Sequence, residues 1–310
     1  MADTANPRGV LFTHQQELAK LPKPMEDLLA SHSHIPPSEQ LAHVISLRDE
    51  AYEHCPYPCI GRLHFLDFNL AAHPGYAQRI LEPLKRSQEA LLARGEPEPL
   101  LLDIGTCFGQ DVRKLVADGV PPERLWASEI EQFLLDLSFR LFKDEDRLRR
   151  SQFLSPGDVL AAEDDASDKL KVLDGRVTML HLRAVFHLFT WEQQKRVAHR
   201  CLQLLRKDPG VPFLIVGGQV GDLNPGPYVV ANLPPDFSNV YRHNEESWLR
   251  LWQEVTDDER WKGRVAKLEV WSKLMRRTWD AEGAAVYADD HQLAPDAPLW
   301  HVSEVHVTFR

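Results

Sequence analysis

The stretch LLLDIGTCFGQDVRKL, residues 100–115, carries the strongest structural signal in the chain. Its apolar start predicts a short buried strand that places Asp103 near the strand's carboxyl end. Gly105 and Gly109 then allow a tight turn into a helix that begins at Gln110. Because ligands of open α/β sheets bind at the carboxyl ends of the strands, we expect a ligand site at this turn.

Short apolar runs alternate with helical segments on the carboxyl side of this turn. They predict strands at 124–129, 153–154, 177–182 and 213–216 and helices at 110–117, 131–142 and 191–206. Two later segments, 265–271 and 301–309, alternate polar and apolar residues and are expected to pair antiparallel. The pattern predicts an α/β fold with a doubly wound, Rossmann-like sheet of seven strands, mostly parallel with an antiparallel edge strand.

The N-terminal part of the chain has a different character. Residues 1–95 combine helical spacing with proline-rich breaks, and we expect them to form a helical lid and substrate cap. Within it, Ser38 is expected to cap one helix, and residues 76–94 to form another. Residues 96–310 then form the Rossmann-like domain, in which segment 222–244, rich in proline, glycine and asparagine, is predicted to be an insertion loop.

Composition excludes several classes of protein. The 310 residues contain 36 Lys and Arg against 46 Asp and Glu, a net charge of −10, which argues against a nucleic-acid partner. An apolar content of 43% excludes a wholly disordered chain. No apolar run approaches the ~18 residues of a membrane span, and the N-terminus does not resemble a signal peptide. We therefore expect a cytoplasmic protein without a membrane partner, whose four cysteines are free thiols.

The glycine turn differs from the common phosphate-binding loops. Neither G-x-G-x-x-G nor G-x-x-x-x-G-K-[ST] is present, and an acidic residue at the turn suits a cationic or amine-bearing ligand. The pattern Asp-x-Gly-x-x-x-Gly resembles motif I of class I S-adenosylmethionine-dependent methyltransferases, with Cys107 where that family commonly has a third glycine. The resemblance implies S-adenosylmethionine as the cofactor and assigns Asp103, Gly105, Thr106 and Gly109 to its site.

Two further motifs follow in the order that this resemblance implies. Glu129 ends the second predicted strand, at the position of the acid that takes both ribose hydroxyls. Gly157-Asp158-Val159-Leu160 resembles the motif whose aspartate accepts the adenine amino group, which assigns Asp158 and Val159 to the cofactor. His181 ends the fourth strand at the same edge and is assigned there too. Taken alone, Glu129 has the alternative of an exposed carboxylate and Asp158 that of a turn residue; their joint order favours the cofactor.

The resemblance extends beyond the generic fold. Four segments together are similar to fungal small-molecule methyltransferases of meroterpenoid and related secondary-metabolite pathways, several of which esterify carboxylic acids. They are YPCIGRLHFLDFNL (57–70), DIGTCFGQDVRKLVADGVP (103–121), HLRAVFHLFTWEQQ (181–194) and RHNEESWLRLW (242–252). This implies methyl transfer to a small-molecule acceptor, with O-methylation of a carboxylic acid favoured. Two alternatives stay open: a methyltransferase-like cyclase or isomerase that does not transfer the methyl group, and a non-catalytic binding protein.

The chemistry of the acceptor decides which other residues to consider. A carboxylate is already ionised at neutral pH, whereas a phenol or alcohol requires a general base. His181 and His187 are therefore candidates for acceptor contact or proton transfer, and Arg62 is a candidate carboxylate clamp. Further candidates for acceptor contact are Tyr57, Phe65, Phe186, His243 and Trp248. Packing or capping is the alternative for the aromatic residues and the histidines, and a surface ion pair is the alternative for Arg62.

No metal site is expected. Cys55 and Cys59, with His54 and His64 nearby, are possible zinc ligands, but the Pro-Tyr-Pro between the cysteines makes an awkward chelate and there is no second cysteine pair. The expected partner is the small-molecule acceptor. A homodimer, through the edge strand or the N-terminal helices, stays open.

Overall fold

The computed structural model of the chain describes residues 18–162, 164–229, 239–288 and 299–310. Within these residues the α-helices are α1 (Lys23–Ser31), α2 (Pro37–His54), α3 (Pro58–Gly61), α4 (Glu82–Lys85), α5 (Gln88–Arg94), α6 (Gln110–Ala117), α7 (Gln132–Phe142), α8 (Trp191–Leu204) and α9 (Glu245–Asp257). The strands are β1 (Leu101–Ile104), β2 (Leu125–Ser128), β3 (Phe153–Leu154), β4 (Met179–Arg183), β5 (Pro212–Val220), β6 (Gly226–Tyr228), β7 (Val240–Arg242), β8 (Val265–Trp279), β9 (Ala285–Ala288) and β10 (Leu299–Phe309).

Eight of these strands form one sheet, in the order β3-β2-β1-β4-β5-β10-β8-β9. The first five in that order are parallel, which confirms the predicted Rossmann-like α/β fold. β10 runs antiparallel to β5 and to β8, and β9 runs antiparallel to β8. The predicted pairing of the last two long strands is therefore confirmed, while the predicted count of seven strands was one too low because β9 was missed.

The sheet has an antiparallel edge strand, as predicted, but β10 is not itself that strand. β10 lies inside the sheet, between β5 and β8, and the outer strand on that side is β9. Its alternating sequence suggested one exposed face, yet both His301 and Glu304 are buried. The carboxylate of Glu304 is satisfied by Arg79, whose Nε donates to it over 2.8 Å. Pairing of this kind permits a polar residue on a strand that is covered on both faces.

Two predicted segments differ in detail. The expected helix at 76–94 begins as a π-helical turn, Tyr76–Leu81, continues as α4 and is interrupted before α5, where the Ser87 hydroxyl caps the new helix. α2 begins at Pro37 with Pro36 as its N-cap, so Ser38 is not the capping residue. The described part of the predicted loop 222–244 contains β6 and β7, which pair as a separate two-stranded sheet; residues 230–238 lie outside the described residues.

Helices cover both faces of the large sheet. On one face, Leu180, Leu182 and Ile215 belong to an apolar core with residues of α8 and α9. On the other face, Met179 and Leu214 belong to a core with residues of α6 and α7. The N-terminal helices form a third core with the outer side of α7 and with Phe108 of the glycine turn. The N-terminal segment predicted as a lid is thus packed beside the turn; residues 1–17 lie outside the described part.

A buried ion pair joins these layers. Arg113 on α6 and Asp144, just after α7, are fully buried and make two hydrogen bonds, Nε to Oδ2 at 2.9 Å and Nη2 to Oδ1 at 3.1 Å. His32, after α1, contacts the same carboxylate through Nε2 at 2.9 Å. Arg113 also donates to the carbonyl oxygens of Phe108 and Gly109. The pair therefore connects the N-terminal helices to the glycine turn.

We expect Asp144→Asn to lower the free energy of unfolding by about 3–5 kcal/mol, because it leaves a buried guanidinium without its countercharge. Denaturant unfolding of the purified variant measures the change. The matched control is Asp146→Asn, whose side chain is 76% exposed and which should change stability by less than about 0.5 kcal/mol. Equal stability of the two variants would contradict a structural role for the pair.

Candidate active site

The glycine turn after β1 adopts backbone conformations that favour glycine. Gly105 has φ of +70° and Gly109 has φ of +63°, both in the left-handed region. A Cβ on Gly105 would also lie only 2.7 Å from Cγ2 of Val185. The amides of Gly105 and Thr106 both donate to the carbonyl oxygen of Ser128, at 2.9 and 3.0 Å, which fixes the turn against the end of β2. The turn leaves its backbone accessible for close approach by a ligand.

Asp103 and His181 form the polar centre of this edge. The β1–β4 register pairs them, and Nδ1 of His181 lies 2.7 Å from Oδ1 of Asp103. The hydroxyl of Thr106 donates to the other carboxylate oxygen. Burial lowers the pKa of His181, but the charge and hydrogen bond of Asp103 outweigh burial, so that the pKa is raised overall. Because Nδ1 is engaged, Nε2 is the nitrogen available to the cavity that His181 lines.

Glu129, directly after β2, is buried and held by the backbone. Its Oε2 accepts the amide of Cys107 and its Oε1 accepts the amide of Ile130, both at 2.8 Å. Burial raises the pKa of Glu129, although these amides act in the opposite direction. A carboxylate offers about four acceptor sites, so the side chain can still receive a hydroxyl group beside its bonds to backbone amides.

The third motif lies beside the second. The amide of Gly157 donates to the carbonyl oxygen of Glu129 over 2.9 Å, and a Cβ on Gly157 would lie 2.6 Å from Cβ of Ser128. This contact brings Asp158 and Val159 to the same edge. Asp158 is exposed and its Oδ1 accepts the amide of Leu160 at 2.8 Å, whereas Val159 is buried. The three predicted motifs are therefore neighbours at one edge of the sheet.

The candidates for acceptor contact divide into two groups. Phe186 and Trp248 are buried on the α8–α9 face, with ring centroids 4.9 Å apart, and both nitrogens of His243 are engaged by Ser247 and Gln194. Phe65 is buried against Phe108, with ring centroids 4.5 Å apart. These four side chains pack within the protein, and their role towards the acceptor stays a prediction.

Three other candidates lie nearer the surface. Tyr57 is half-buried and packs beside the N-terminal core. The side chain of Arg62 is exposed and, within the described residues, makes no hydrogen bond or ion pair, although its backbone amide donates to the carbonyl oxygen of Pro58. His187 accepts the amide of Val220 through Nδ1 at 3.4 Å, and burial, followed by the charges of Arg183 and Arg242, lowers its pKa to about 3. His187 is therefore neutral at physiological pH and a weak base.

Arg183, which lies two residues beyond His181 on β4, was not among the residues predicted from the sequence. Both residues line one cavity, together with Asn69, His73 and Tyr287. The position of Arg183 could have been inferred, because side chains alternate between the two faces of a strand and residues two apart lie on the same face. The aromatic rings beside Arg183, Tyr287 and Trp300, are contributed by β9 and β10, and β9 has no recognisable sequence pattern.

The cysteines and the lengths of the helices bear on three further predictions. All four cysteines are free, as predicted. Possible metal-ligating atoms of His54, Cys55 and Glu131 lie within 4.8 Å of one another, whereas the Cys59 thiol hydrogen-bonds to Cys107 instead. Among the residues that the structure describes, none of the helices combines the length and the apolar content needed to cross a bilayer.

The glycine turn, the buried Glu129 and the neighbouring Asp158 lie together at the carboxyl edge of the sheet, and their assignment to S-adenosylmethionine stays a prediction. Known proteins resemble this chain in sequence and in structure. The family described as "Meroterpenoid methyltransferase N-terminal domain" matches residues 13–66. A solved N1-methyltransferase from Burkholderia thailandensis is 13% identical, with a TM-score of 0.44, over 88% of this chain and 91% of that one.

Several curated fungal proteins are more similar in sequence. O-methyltransferase phiE, from a fungal species, is 36% identical over 79% of this chain and 76% of its own length. O-methyltransferase atr3 from Stereocaulon alpinum is 34% identical over 83% and 68%. The asnovolin E/chermesin D methyltransferase nvfJ from Aspergillus novofumigatus is 32% identical over 86% and 87%. The chain belongs to this family of fungal secondary-metabolite methyltransferases.

We expect Glu129→Gln to weaken binding of S-adenosylhomocysteine by on the order of 2–4 kcal/mol, because an amide cannot accept from every donor that meets this carboxylate. Calorimetric titration measures the affinity. The control is Glu53→Gln, on an exposed position of α2. Wild-type affinity in Glu129→Gln would show that the ribose does not bind at this carboxylate.

Proposed function

We propose that this methyltransferase converts a small carboxylic acid of secondary metabolism into its methyl ester. Bound S-adenosylmethionine supplies an electrophilic methyl group, and because a carboxylate is already ionised, its methylation requires no proton transfer by the protein. The acceptor oxygen forms the bond to carbon while the carbon–sulfur bond breaks and its electron pair stays on sulfur. The chain's own task is to bind the acid, orient it and exclude water.

The observation that carries this proposal is the charge of the region between the N-terminal segment and the carboxyl end of β4. Burial lowers the pKa of His64 to about 3, and the charges of Arg277, Arg183 and Arg62 act in the same direction. His187 is neutral for similar reasons. The region thus combines guanidinium groups with imidazoles that are poor bases. Such a region favours an acceptor that arrives as an anion.

The geometry favours one second candidate, O-methylation of a phenol or enol. Asp103 orients the imidazole of His181 over 2.7 Å, an arrangement that can serve a general base. This route requires neutral His181, whereas Asp103 raises its pKa and favours the imidazolium form. A carboxylate acceptor is compatible with the imidazolium, which adds a positive charge at the same edge.

The pH dependence of kcat/KM distinguishes the two routes. We expect a carboxylic acid acceptor to give a rate that does not rise between about pH 7 and about pH 9, since no proton is removed and the imidazolium of His181 is progressively lost. A phenol whose methylation depends on His181 as the base would react faster as the pH rises through the raised pKa of His181. Asp111, whose pKa burial raises to about 6, titrates below this window.

The product identifies the acceptor group directly. We expect a panel of aromatic and terpenoid carboxylic acids to yield at least one product heavier by one methyl group, which mild base hydrolyses back to the acid. Mass spectrometry before and after hydrolysis makes the measurement, with the corresponding primary amides as controls. Methylated products that all resist base would contradict ester formation and favour the phenol route.

A further inference from the structure

We infer that Arg183 binds the carboxylate of the acceptor, held for that purpose between aromatic rings at the carboxyl end of β4. This inference rests on the proposed function and names the residue that recognises the acid. It replaces Arg62, the clamp that the sequence suggested. Its basis is the placement of Arg183, the surroundings of its guanidinium group and the hydrogen bonds that the nearby carboxylates make to other groups.

Arg183 is placed where an acceptor must approach. It follows His181 by two positions, and strand alternation puts both side chains on the same face of the sheet. Both line one cavity, together with Asn69 and Tyr287. His181 contacts Asp103 at the start of the glycine turn, where we expect the cofactor. Arg183 lies two residues further along the same strand.

The guanidinium of Arg183 is fixed by packing. Its Cζ lies 3.7 Å from the ring centroid of Trp300 and 5.4 Å from that of Tyr287. Gly218 lies beneath it on β5, where a Cβ would approach Nη1 to 2.5 Å. Stacking of this kind restrains the plane of a guanidinium and leaves its N–H edge available for a planar anion. The glycine provides the room that this position requires.

The N–H groups of Arg183 have no carboxylate partner within the described part of the chain. Its Nη2 is buried and makes no hydrogen bond. Burial and the charge of Arg277 lower the pKa of Arg183 to about 10, so the group is still charged at neutral pH. A buried cationic donor without an acceptor is costly, and a bound carboxylate would remove that cost.

The neighbouring carboxylates are each engaged elsewhere. Asp67 pairs with Arg277 at 3.1 Å and accepts the indole N–H of Trp279 at 3.0 Å. Asp103 contacts His181, Asp111 accepts the amide of Leu70 at 3.0 Å, and Glu304 pairs with Arg79. None of these carboxylates hydrogen-bonds to Arg183, so its N–H groups are left for a ligand. Arg62, by contrast, is exposed, where solvent weakens an ion pair.

The test uses benzoate as the probe and its uncharged analogue benzamide as the comparison, each titrated into protein saturated with S-adenosylhomocysteine and followed by ligand-observed NMR. We expect wild type to bind benzoate more tightly than benzamide. We expect Arg183→Lys and Arg183→Gln to weaken benzoate binding about tenfold or more, because lysine keeps the charge but loses the planar two-point contact. Arg62→Lys should bind benzoate as wild type does.

A second pair of variants tests position rather than charge. Gly218→Ala should displace the guanidinium of Arg183 and weaken benzoate binding, while Gly226→Ala on β6, where a Cβ would meet nothing within 4 Å, should not. The exposed Arg149→Lys is the control for substitution of an arginine. Unchanged affinity for S-adenosylhomocysteine and an unchanged melting temperature show that each variant is folded.

The outcomes separate this inference from the proposed function. Equal benzoate affinity in wild type and Arg183→Lys, or equal affinity of wild type for benzoate and benzamide, overturns the role of Arg183, whatever product the enzyme forms. Benzoate binding that depends on Arg183, with no methyl ester from any acid, would retain the anion site and reject ester formation. Weakened binding in Arg62→Lys alone would return the clamp to the N-terminal segment.

Discussion

The ion pair between Arg113 and Asp144 is the constraint on which the rest of the site depends. Its charges lie in a fully buried position, and the guanidinium is enclosed by phenylalanine rings of α7 and β3, with centroids 4.6–4.9 Å from its Cζ. Nη1 of Arg113 donates to two carbonyl oxygens of the glycine turn. From the opposite side, Glu129 accepts the amide of Cys107 in the same turn. The turn is thus fixed from both sides before any ligand arrives, which lowers the ordering cost of binding.

The two faces of the sheet have different tasks at its carboxyl edge. The α8–α9 face is filled by aromatic rings, with Phe186 in contact with Trp248 and Trp252. The opposite face carries His181 and Arg183 and meets charged residues of the N-terminal segment and of β8. Strand alternation produces this division, because neighbouring residues of β4 and β5 point to opposite sides. The polar side chains His181 and Arg183 therefore lie on one face of the sheet, next to the glycine turn.

The parts of the fold that sequence could predict are those that local pattern determines. The first strand, its turn and α6, which begins at Gln110 and ends at Ala117 as predicted, depend on a continuous stretch of chain. The interior position of β10 was not predictable from its own residues, because the buried Glu304 depends on partners such as Arg79 and His73, which are distant in sequence. Arg183 escaped notice for the same reason: Tyr287 and Trp300 come from strands far along the chain. The sequence predicts contact with the acceptor for aromatic residues such as Phe65. It does not show their packing partners, because these lie in other elements.

The strand order also has a consequence for biosynthesis. β10 joins β5 to β8, so its two neighbours are both translated before the strand that connects them. Until β10 emerges, the backbone groups along one side of β5 and along β8 have no partner in the sheet. Such non-local pairing is slow, and unpaired edges promote association between chains. Newly made protein therefore passes through an interval in which temperature, expression rate and chaperone supply decide how much of it reaches the native state.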